Sequence, residues 1–274
     1  MDTTIDLVMW CKNGGYCLNS VLKQIEKVIP SKVVHKKILV DDYSTDNTRE
    51  IAKRHDWKVV YNNGKGVGDG ANTALNHVDC EFFVSFEHDL VLANDWFEKI
   101  PPQIINNKGV GAAQGVRLPD HKLLRKLQEF KIEREQRVGR TTHSMDNTIY
   151  RTDVIRDVGG FPKLPGAGVD SILVHKVLKS GYRWITDFNV ISIHLRKGIK
   201  EEIRHYYGYG LASPKVSLHD PSINLHRIIL TFGFSPFQGF HIALTKHDWR
   251  LAFLYPVIRF ATFWGYIKGI KSVY

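Results

Sequence analysis

Apolar strands alternate with helical patterns over the first hundred residues, and this alternation limits the fold more than any other feature. The apolar runs lie at 5–10, 37–40, 57–61 and 81–86. The helical patterns lie between them, at 16–28, 46–54 and 70–77. Because continuous apolar strands are typical of a mostly parallel sheet with helices on both faces, the sequence predicts a Rossmann-like α/β fold.

The same pattern continues to residue 194 and then changes. We predict further strands at 110–116, 147–150, 183–185 and 190–194, and helices at 122–136 and 170–179. Beyond 195, aromatic and basic residues interleave, and no stretch approaches the roughly 20 apolar residues of a membrane-spanning helix. This segment is predicted to be a helical extension.

The net charge of +10 points to an anionic partner, and its distribution narrows the choice. Residues 122–140 carry +4 and residues 199–274 carry +5, which leaves +1 for the remainder. A general affinity for nucleic acid is therefore disfavoured. Basic charge with interleaved aromatics nevertheless keeps a nucleic-acid-binding protein as an alternative, although no nucleic-acid motif is recognisable.

Three cysteines are too few for a disulfide framework, and the absence of CxxC spacing argues against a thiolate metal site. Such sparse cysteine usage is typical of a reducing compartment. No lysine or arginine precedes the first apolar run, so the N-terminus does not resemble a secretory signal. We expect a cytoplasmic protein.

Two acids end the second predicted strand, in the motif DDYSTDNT at 41–48. Ligands of parallel sheets bind outside the carboxyl ends of the strands, so a carboxylate here is placed to accept N–H groups of a nucleotide base. The alternative is a polar turn in which Asp46 or Thr45 caps the next helix.

Two further acids, Glu87 and Asp89, follow the buried strand EFFVSF. Carboxylates two residues apart at a strand end converge on one point and suit a divalent metal that also binds a diphosphate. His194, which ends the last predicted strand, is a candidate third ligand. The alternatives are an acidic loop and a structural histidine.

A Gly/Pro-rich loop at 159–168 leads into a helix that begins near Asp170. A carboxylate is stabilised at a helix N-terminus, so Asp170 is in the simplest interpretation a helix cap. A free carboxylate at this position is instead suited to act as a general base that deprotonates a sugar hydroxyl.

Together these motifs resemble those of inverting family-2 glycosyltransferases of GT-A fold, over roughly residues 5–194. The matching features are Asn13, DDYSTD, GANTALN, EHD, GGFPKLPGAGVD, GYRW and His194. The resemblance implies a GT-A catalytic domain at 1–198, with a nucleotide-sugar half at 1–117 and an acceptor half at 118–198. The helical extension would occupy 199–274.

The resemblance also implies which residues bind the donor, a nucleoside diphosphate sugar with UDP favoured over GDP. Asp42 would hold the base, with Trp10, Lys12 and Asn13 around it. The helix before the metal motif usually carries an arginine, and this chain has Ala71 in its place. Lys65 would supply positive charge to the diphosphate instead.

By the same resemblance, Asp89 would be the main ligand of Mn²⁺ or Mg²⁺, because the motif begins with Glu87 rather than the commoner aspartate. Glu87 would lie near the ribose or the metal, His88 beside the donor, and His194 at the metal or the diphosphate. Asp170 would be the catalytic base, as the one carboxylate of a motif that usually carries two acids.

The two basic segments leave several partners open. The tail beyond about residue 213 is predicted either to lie on the inner face of the cell membrane, near a lipid-linked acceptor, or to pack on the core or a second subunit of a homodimer. Helix 122–136 is predicted to be a solvated face or to flank the acceptor site. A glycan or other hydroxyl acceptor is equally compatible. A nucleotidyltransferase on a related fold, weakly echoed by KNGGY, is the remaining alternative.

Overall fold

A computed structural model of the chain describes residues 3–139, 143–164, 166–196, 198–219 and 223–271. The strands are β1 (Ile5–Cys11), β2 (Val34–Asp41), β3 (Lys58–Tyr61), β4 (Phe82–Phe86), β5 (Leu90–Val91), β6 (Val110–Pro119), β7 (Asn147–Arg151) and β8 (Arg183–His194). The helices are α1 (Leu18–Val28), α2 (Thr48–Arg54), α3 (Gly66–Leu75), α4 (Trp96–Lys99), α5 (Pro101–Ile105), α6 (Lys122–Arg137), α7 (Thr152–Asp157), α8 (Val169–Lys179), α9 (Ile199–Val216), α10 (Leu225–Gly233), α11 (Ser235–Thr245) and α12 (Arg250–Ile270).

The strands form one mixed sheet in the order β3-β2-β1-β4-β7-β6-β8-β5. Strands β1 to β4 are parallel neighbours, as the apolar runs predict. β7 is antiparallel to both β4 and β6, and β5 is antiparallel to β8. The two short strands predicted at 183–185 and 190–194 form one strand, because residues 186–189 between them are also extended.

The described chain divides into two compact units. The first comprises Met1–Arg117, Thr141–Pro165 and Leu173–His194, and the second comprises Leu118–Arg140, Gly166–Ile172 and Leu195–Tyr274. The predicted divisions after 117 and 198 lie close to two of these boundaries. The division into donor and acceptor halves stays a prediction.

The core of the first unit lies along the centre of the sheet. Every residue of β1 and of β4 is buried, which explains why these strands are mostly apolar rather than alternating, with Asp6 and Ser85 as their polar residues. All three cysteines are free thiols, and burial raises the pKa of the Cys11 thiol.

The core of the second unit joins α6 to the C-terminal helices. Its buried side chains come from α6, α11 and α12, namely Leu123, Leu124, Leu127, Phe130, Ile242, Ala243, Leu251, Leu254, Tyr255 and Ile258. The sequence predicts α6 as a solvated face. Only part of its circumference is solvated, because its leucines and its phenylalanine recur on one side.

Helices α9 and α12 pack backbone to backbone in the second unit. A Cβ atom on Gly210 would lie 2.0 Å from the carbonyl oxygen of Thr262, and one on Gly265 would lie 2.2 Å from that of Tyr207. Any larger residue at either position would push the helices apart.

Within the described residues, no single helix is long and apolar enough to cross a membrane. Helices α10 and α11, bent by 57° relative to each other, are together long and apolar enough, by length and composition, for a bent span.

Lys131 on α6 is partly buried in the second unit beside Tyr206. Its Nζ donates a hydrogen bond to Tyr206 Oη and lies 4.5 Å from the centre of that ring. Burial, together with the positive charge of Arg259, lowers the pKa of Lys131 from 10.5 to about 7. Between these two pH values the unfolded chain binds a proton that the folded protein does not, so the free energy of unfolding rises with pH.

We therefore expect Lys131→Met to flatten the rise in unfolding free energy between about pH 7 and about pH 10. Urea unfolding at a series of pH values measures this slope for the variant and the wild type. Lys200→Met, which removes an exposed lysine from α9, is the matched control and should keep the wild-type slope. Parallel curves for Lys131→Met and the wild type would contradict the assigned pKa.

Candidate functional site

The loop after β1 and the loop after β2 are joined by hydrogen bonds at the carboxyl edge of the sheet. The strands are parallel and end in register, with Cys11 opposite Asp41. The N–H of Asn13 donates to Ser44 Oγ at 2.9 Å, and Asn13 Oδ1 accepts from the N–H of Thr45 at 2.8 Å. Asn13, predicted to lie near the base, thus holds the shape of the DDYSTD loop.

Gly14 and Gly15 run so close to their neighbours that no side chain fits. A Cβ atom on Gly14 would lie 2.8 Å from His88 Cδ2, and one on Gly15 would lie 2.9 Å from Asp46 Oδ2. Their N–H groups donate to Thr48 Oγ1 and Asp46 Oδ2, each at 2.9 Å. These two N–H groups therefore join the β1 loop to the start of α2.

Asp46 stabilises the start of α2, as one of the two sequence interpretations predicts. Its Oδ1 accepts from the N–H of Thr48 at 3.1 Å, whereas the N-cap residue Asn47 makes no capping bond through its side chain. Burial raises the pKa of Asp46, but hydrogen bonds from Thr48 and Gly15 outweigh it and lower the pKa overall.

Of the paired acids, Asp42 is the one that remains accessible. Asp41 is fully buried and accepts from the N–H of Ser44, whereas the Asp42 side chain is 20% exposed. Asn62 Nδ2 donates to Asp42 at 3.0 Å, and Lys12 Nζ lies 3.5 Å from its other oxygen. Two donors orient this carboxylate while part of it still faces solvent.

Two exposed tyrosines flank Asp42, and the sequence analysis does not identify them. The rings of Tyr43 and Tyr61 are stacked with their centres 5.5 Å apart. Tyr43 adopts φ +58°, a backbone conformation that favours glycine. Tyr43 could have been identified from the sequence, because it stands where DDGSTD-type motifs have glycine. Tyr61 lies beside it only because β3 pairs with β2 in a register that sets Tyr61 opposite Asp41.

Trp10 and Lys65 are also predicted to bind the donor. Trp10 is 7% exposed, and its ring packs edge-on against Phe161 with the centres 5.9 Å apart. Lys65 is exposed at the start of α3. Among the described hydrogen bonds and ion pairs, neither side chain contacts Asp42, so their roles stay predictions.

The acids of the EHD motif converge on His194, as the sequence predicts. The short strand β5 pairs with the end of β8 and sets Leu90 opposite His194. His194 Nε2 therefore lies 3.2 Å from Asp89 Oδ1 and 3.7 Å from Glu87 Oε2. His194 is almost fully buried, whereas both carboxylates are partly exposed.

A third carboxylate, Asp146, joins this group. It immediately precedes β7, whose antiparallel pairing with β4 brings it beside Glu87. Ligand atoms of Glu87, Asp146 and His194 all lie within 4.8 Å of one another. Asp146 is fully buried and forms an ion pair with Arg117 through Oδ2, and its Oδ1 accepts no hydrogen bond from the described residues.

Asp146 is not predicted from the sequence, because the rule that ligands bind at the carboxyl ends of strands points only to residues that follow strands. An antiparallel strand begins, rather than ends, at the edge where its parallel neighbours end. An acid directly before an apolar strand, as in MDNTIY, is the signal to examine once antiparallel strands are allowed.

These residues fit a divalent cation. Carboxylate oxygens are the ligands that Mg²⁺ and Mn²⁺ prefer, and imidazole is acceptable to Mn²⁺. A buried carboxylate oxygen without a hydrogen-bond donor is costly unless a cation or another partner satisfies it. Asp146 Oδ1 meets this description, so Glu87, Asp89, Asp146 and His194 form the candidate metal site.

The ring of His88 packs on the β1 loop instead. It lies edge-on to the ring of Tyr16, with the centres 6.2 Å apart. The backbone carbonyl of His88 also accepts a bond from Cys17 Sγ at 3.2 Å. Burial, the hydrogen bond to Cys17 and the charge of Asp89 raise the pKa of Tyr16. The predicted contact of His88 with the donor stays a prediction.

Asp170 is the second residue of α8 and belongs to the second unit. It is partly exposed, and its Oδ1 accepts from the N–H of Ser171 at 2.8 Å. The carboxylate is therefore at a helix N-terminus, as predicted. Its role as a base stays a prediction.

Comparison with known proteins agrees with the motifs. The model of Glycosyl transferase family 2 matches residues 14–159, more than half of the chain. Succinoglycan biosynthesis protein ExoA from Rhizobium meliloti (strain 1021) is 23% identical over 243 residues, which cover 80% of this chain and 74% of that protein. O-antigen chain rhamnosyltransferase WbaN from Salmonella anatum is 26% identical over 193 residues, 64% of this chain and 61% of that protein.

Solved structures give the fold. Mannosyltransferase PcManGT from Pyrobaculum calidifontis, in complex with GDP-Man and Mn²⁺, has a TM-score of 0.69 at 16% identity. The match covers 99% of this chain and 88% of the PcManGT chain. Glucosyl-3-phosphoglycerate synthase from Mycobacterium tuberculosis, with Mn²⁺, UDP-Glc and phosphoglyceric acid, has a TM-score of 0.60 at 15% identity, with 79% of each chain covered. The predicted GT-A fold is confirmed. With its family model and its motifs in agreement, the chain belongs to glycosyl transferase family 2.

Proposed function

We propose that this glycosyltransferase moves a sugar from a nucleoside diphosphate to an acceptor hydroxyl and inverts the configuration at the anomeric carbon. The observation that carries the proposal is the convergence of Glu87, Asp89, Asp146 and His194 at the same sheet edge as the DDYSTD loop. UDP is favoured by the sequence resemblance, and GDP is supported by the complex of PcManGT with GDP-Man.

The proposed base pocket is built around Asp42. Its carboxylate, held by Asn62 and Lys12, would accept N–H groups of the base. The exposed rings of Tyr43 and Tyr61 offer flat apolar faces beside it, on which a base can stack. Pocket residues and their partners thus come from β2, β3 and the loop after β1.

Glu87, Asp89, Asp146 and His194 would hold Mn²⁺ or Mg²⁺. When bound, the ion neutralises charge that develops on the nucleoside diphosphate as it leaves. Arg117, paired with Asp146, would hold that buried carboxylate in place beside Glu87 and His194.

Asp170 would take the proton of the acceptor hydroxyl as that oxygen attacks the anomeric carbon. A single displacement of this kind inverts the configuration at that carbon. The acceptor would be a glycan, a lipid-linked saccharide or another hydroxyl compound.

A nucleotide panel tests the donor class. Thermal unfolding is followed with UDP, GDP and ADP, each with and without Mn²⁺, and with short DNA and RNA. We expect UDP or GDP to raise the Tm only with metal, by the equivalent of about 2.7 kcal/mol at 100 times its Kd. Stabilisation by DNA or RNA without metal, and none by nucleotide, would overturn the proposal.

A further inference from the structure

The three C-terminal helices expose an unusual amount of apolar surface. Twelve of the twenty large hydrophobic side chains that are exposed in the described residues fall between Leu225 and Trp264. We call them the aromatic surface: Leu225, Ile229, Leu230, Phe234, Phe237, Phe240, Leu244, Trp249, Phe253, Val257, Phe260 and Trp264. Scattered exposed apolar residues are normal, but a concentration of this kind marks an interaction site.

These side chains form stripes at helical spacing. On α12, Phe253, Val257, Phe260 and Trp264 recur every three or four residues, so they share one side of the helix. The opposite side of α12 is buried in the core of the second unit. A helix that is apolar on both sides needs a second apolar environment besides that core.

The stripes of the three helices are continuous. Phe232 on α10 contacts Phe260 and Phe263 on α12, with ring centres 5.8 and 5.0 Å apart. Phe240 on α11 contacts Trp249, with ring centres 5.5 Å apart. α10 is rich in leucine and isoleucine, yet none of its residues is fully buried.

The positive charge of this region favours an anionic partner. Residues 225–271 carry six basic side chains, of which Lys246 and Arg250 form ion pairs with Glu133 and Asp248. The other four are Arg227, Arg259, Lys268 and Lys271. Lys268 lies 5.0 Å from the centre of the Trp264 ring, which places a cation beside the apolar stripe. A second copy of the chain would bring the same positive charge against itself, whereas an anionic lipid headgroup is complementary to it.

We propose that the aromatic surface lies in the headgroup boundary of a bilayer that contains anionic lipid. Phenylalanine and leucine side chains enter the acyl region, tryptophan remains at the interface, and lysine and arginine bind lipid phosphates. The surface accounts for membrane attachment without a spanning helix, and it stands independently of the proposed sugar transfer.

Vesicle flotation of the full chain tests this surface. We expect binding to vesicles of phosphatidylcholine with phosphatidylglycerol, weaker binding to phosphatidylcholine alone, and release as salt is raised. Phe237→Ser with Phe253→Ser removes two side chains that are each 76% exposed, and we expect binding at least about tenfold weaker.

The matched control is Leu178→Ser with Ile191→Ser, which removes two exposed apolar side chains from the first unit. We expect it to bind vesicles like the wild type, and both double variants to keep the wild-type Tm. Equal binding by the phenylalanine variant and the wild type would overturn the proposal. The proposal would also be overturned if the wild type did not bind vesicles but formed a dimer in light scattering, and if the phenylalanine changes dissociated that dimer.

Discussion

Asp170→Asn is expected to lower the rate of sugar transfer by about 10²- to 10⁴-fold, the usual contribution of a general base. Asparagine keeps the size and shape of the side chain at the start of α8 but does not accept the acceptor proton. In the proposed mechanism the donor is bound by Asp42 and by the carboxylates around His194, so the affinity for the nucleotide should stay nearly unchanged. Steady-state transfer and nucleotide titration measure the two effects separately.

Asp153→Asn is the matched control for this change. Asp153 is the second residue of α7, and its Oδ1 accepts from the N–H of Val154 at 2.7 Å, as that of Asp170 accepts from Ser171 at 2.8 Å. The two substitutions therefore disturb the same kind of helix start, and only Asp170→Asn should lose transfer. Wild-type turnover in Asp170→Asn would show that another group is the base.

Asp89→Asn is expected to weaken Mn²⁺ binding by at least about 10- to 100-fold. Losing a residue that only hydrogen-bonds to a metal ligand already weakens metal binding by this factor. Asp146→Asn should have a similar effect, because its carboxylate shares the space between Glu87 and His194. Calorimetric titration with Mn²⁺ alone measures both effects without reference to activity. Transfer should fall in parallel, since the ion offsets the charge of the leaving group.

Asp95→Asn serves as the control for the metal site. Asp95 is an exposed acid on the same stretch of chain, and it pairs with Lys99. Its replacement should leave Mn²⁺ binding unchanged. If Asp146→Asn bound Mn²⁺ as tightly as the wild type, Asp146 would only be a partner for Arg117.

The parallel half of the sheet and the residues at its edge are predictable from the sequence. Buried parallel strands are mostly apolar, so their ends are visible as the points where DDYSTD and EHD begin. The rule that ligands bind at those ends then brings Asp42, Glu87 and Asp89 to one edge. The predicted meeting of Asp89 with His194 follows the same logic and is present in the structure.

The strand order and direction in the antiparallel half of the sheet are not predictable in this way, because they depend on residues far apart in the sequence. Nothing local to Asp146 shows that β7 pairs with β4 in the opposite direction, and that pairing alone brings Asp146 to Glu87. Tyr61 likewise reaches Tyr43 only through the register of β3 with β2.

The second unit was predictable only as helical. Its charged helix α6 has an apolar face that a count of charges conceals. The close approach of α9 to α12 depends on Gly210 and Gly265, which carry no periodic signal that sequence analysis can detect.

The most direct test of the central claim is a hydrolysis and transfer screen of nucleotide sugars with Mn²⁺, with Mg²⁺ and with a chelator. The account predicts that a UDP- or GDP-sugar is consumed only when metal is present, that chelation stops the reaction, and that added Mn²⁺ restores it. Asp89→Asn should need more metal to reach the same rate. Consumption of a nucleotide sugar at an undiminished rate in the presence of chelator would contradict the proposed metal site, and no consumption of any nucleotide sugar with either metal would contradict the proposed function.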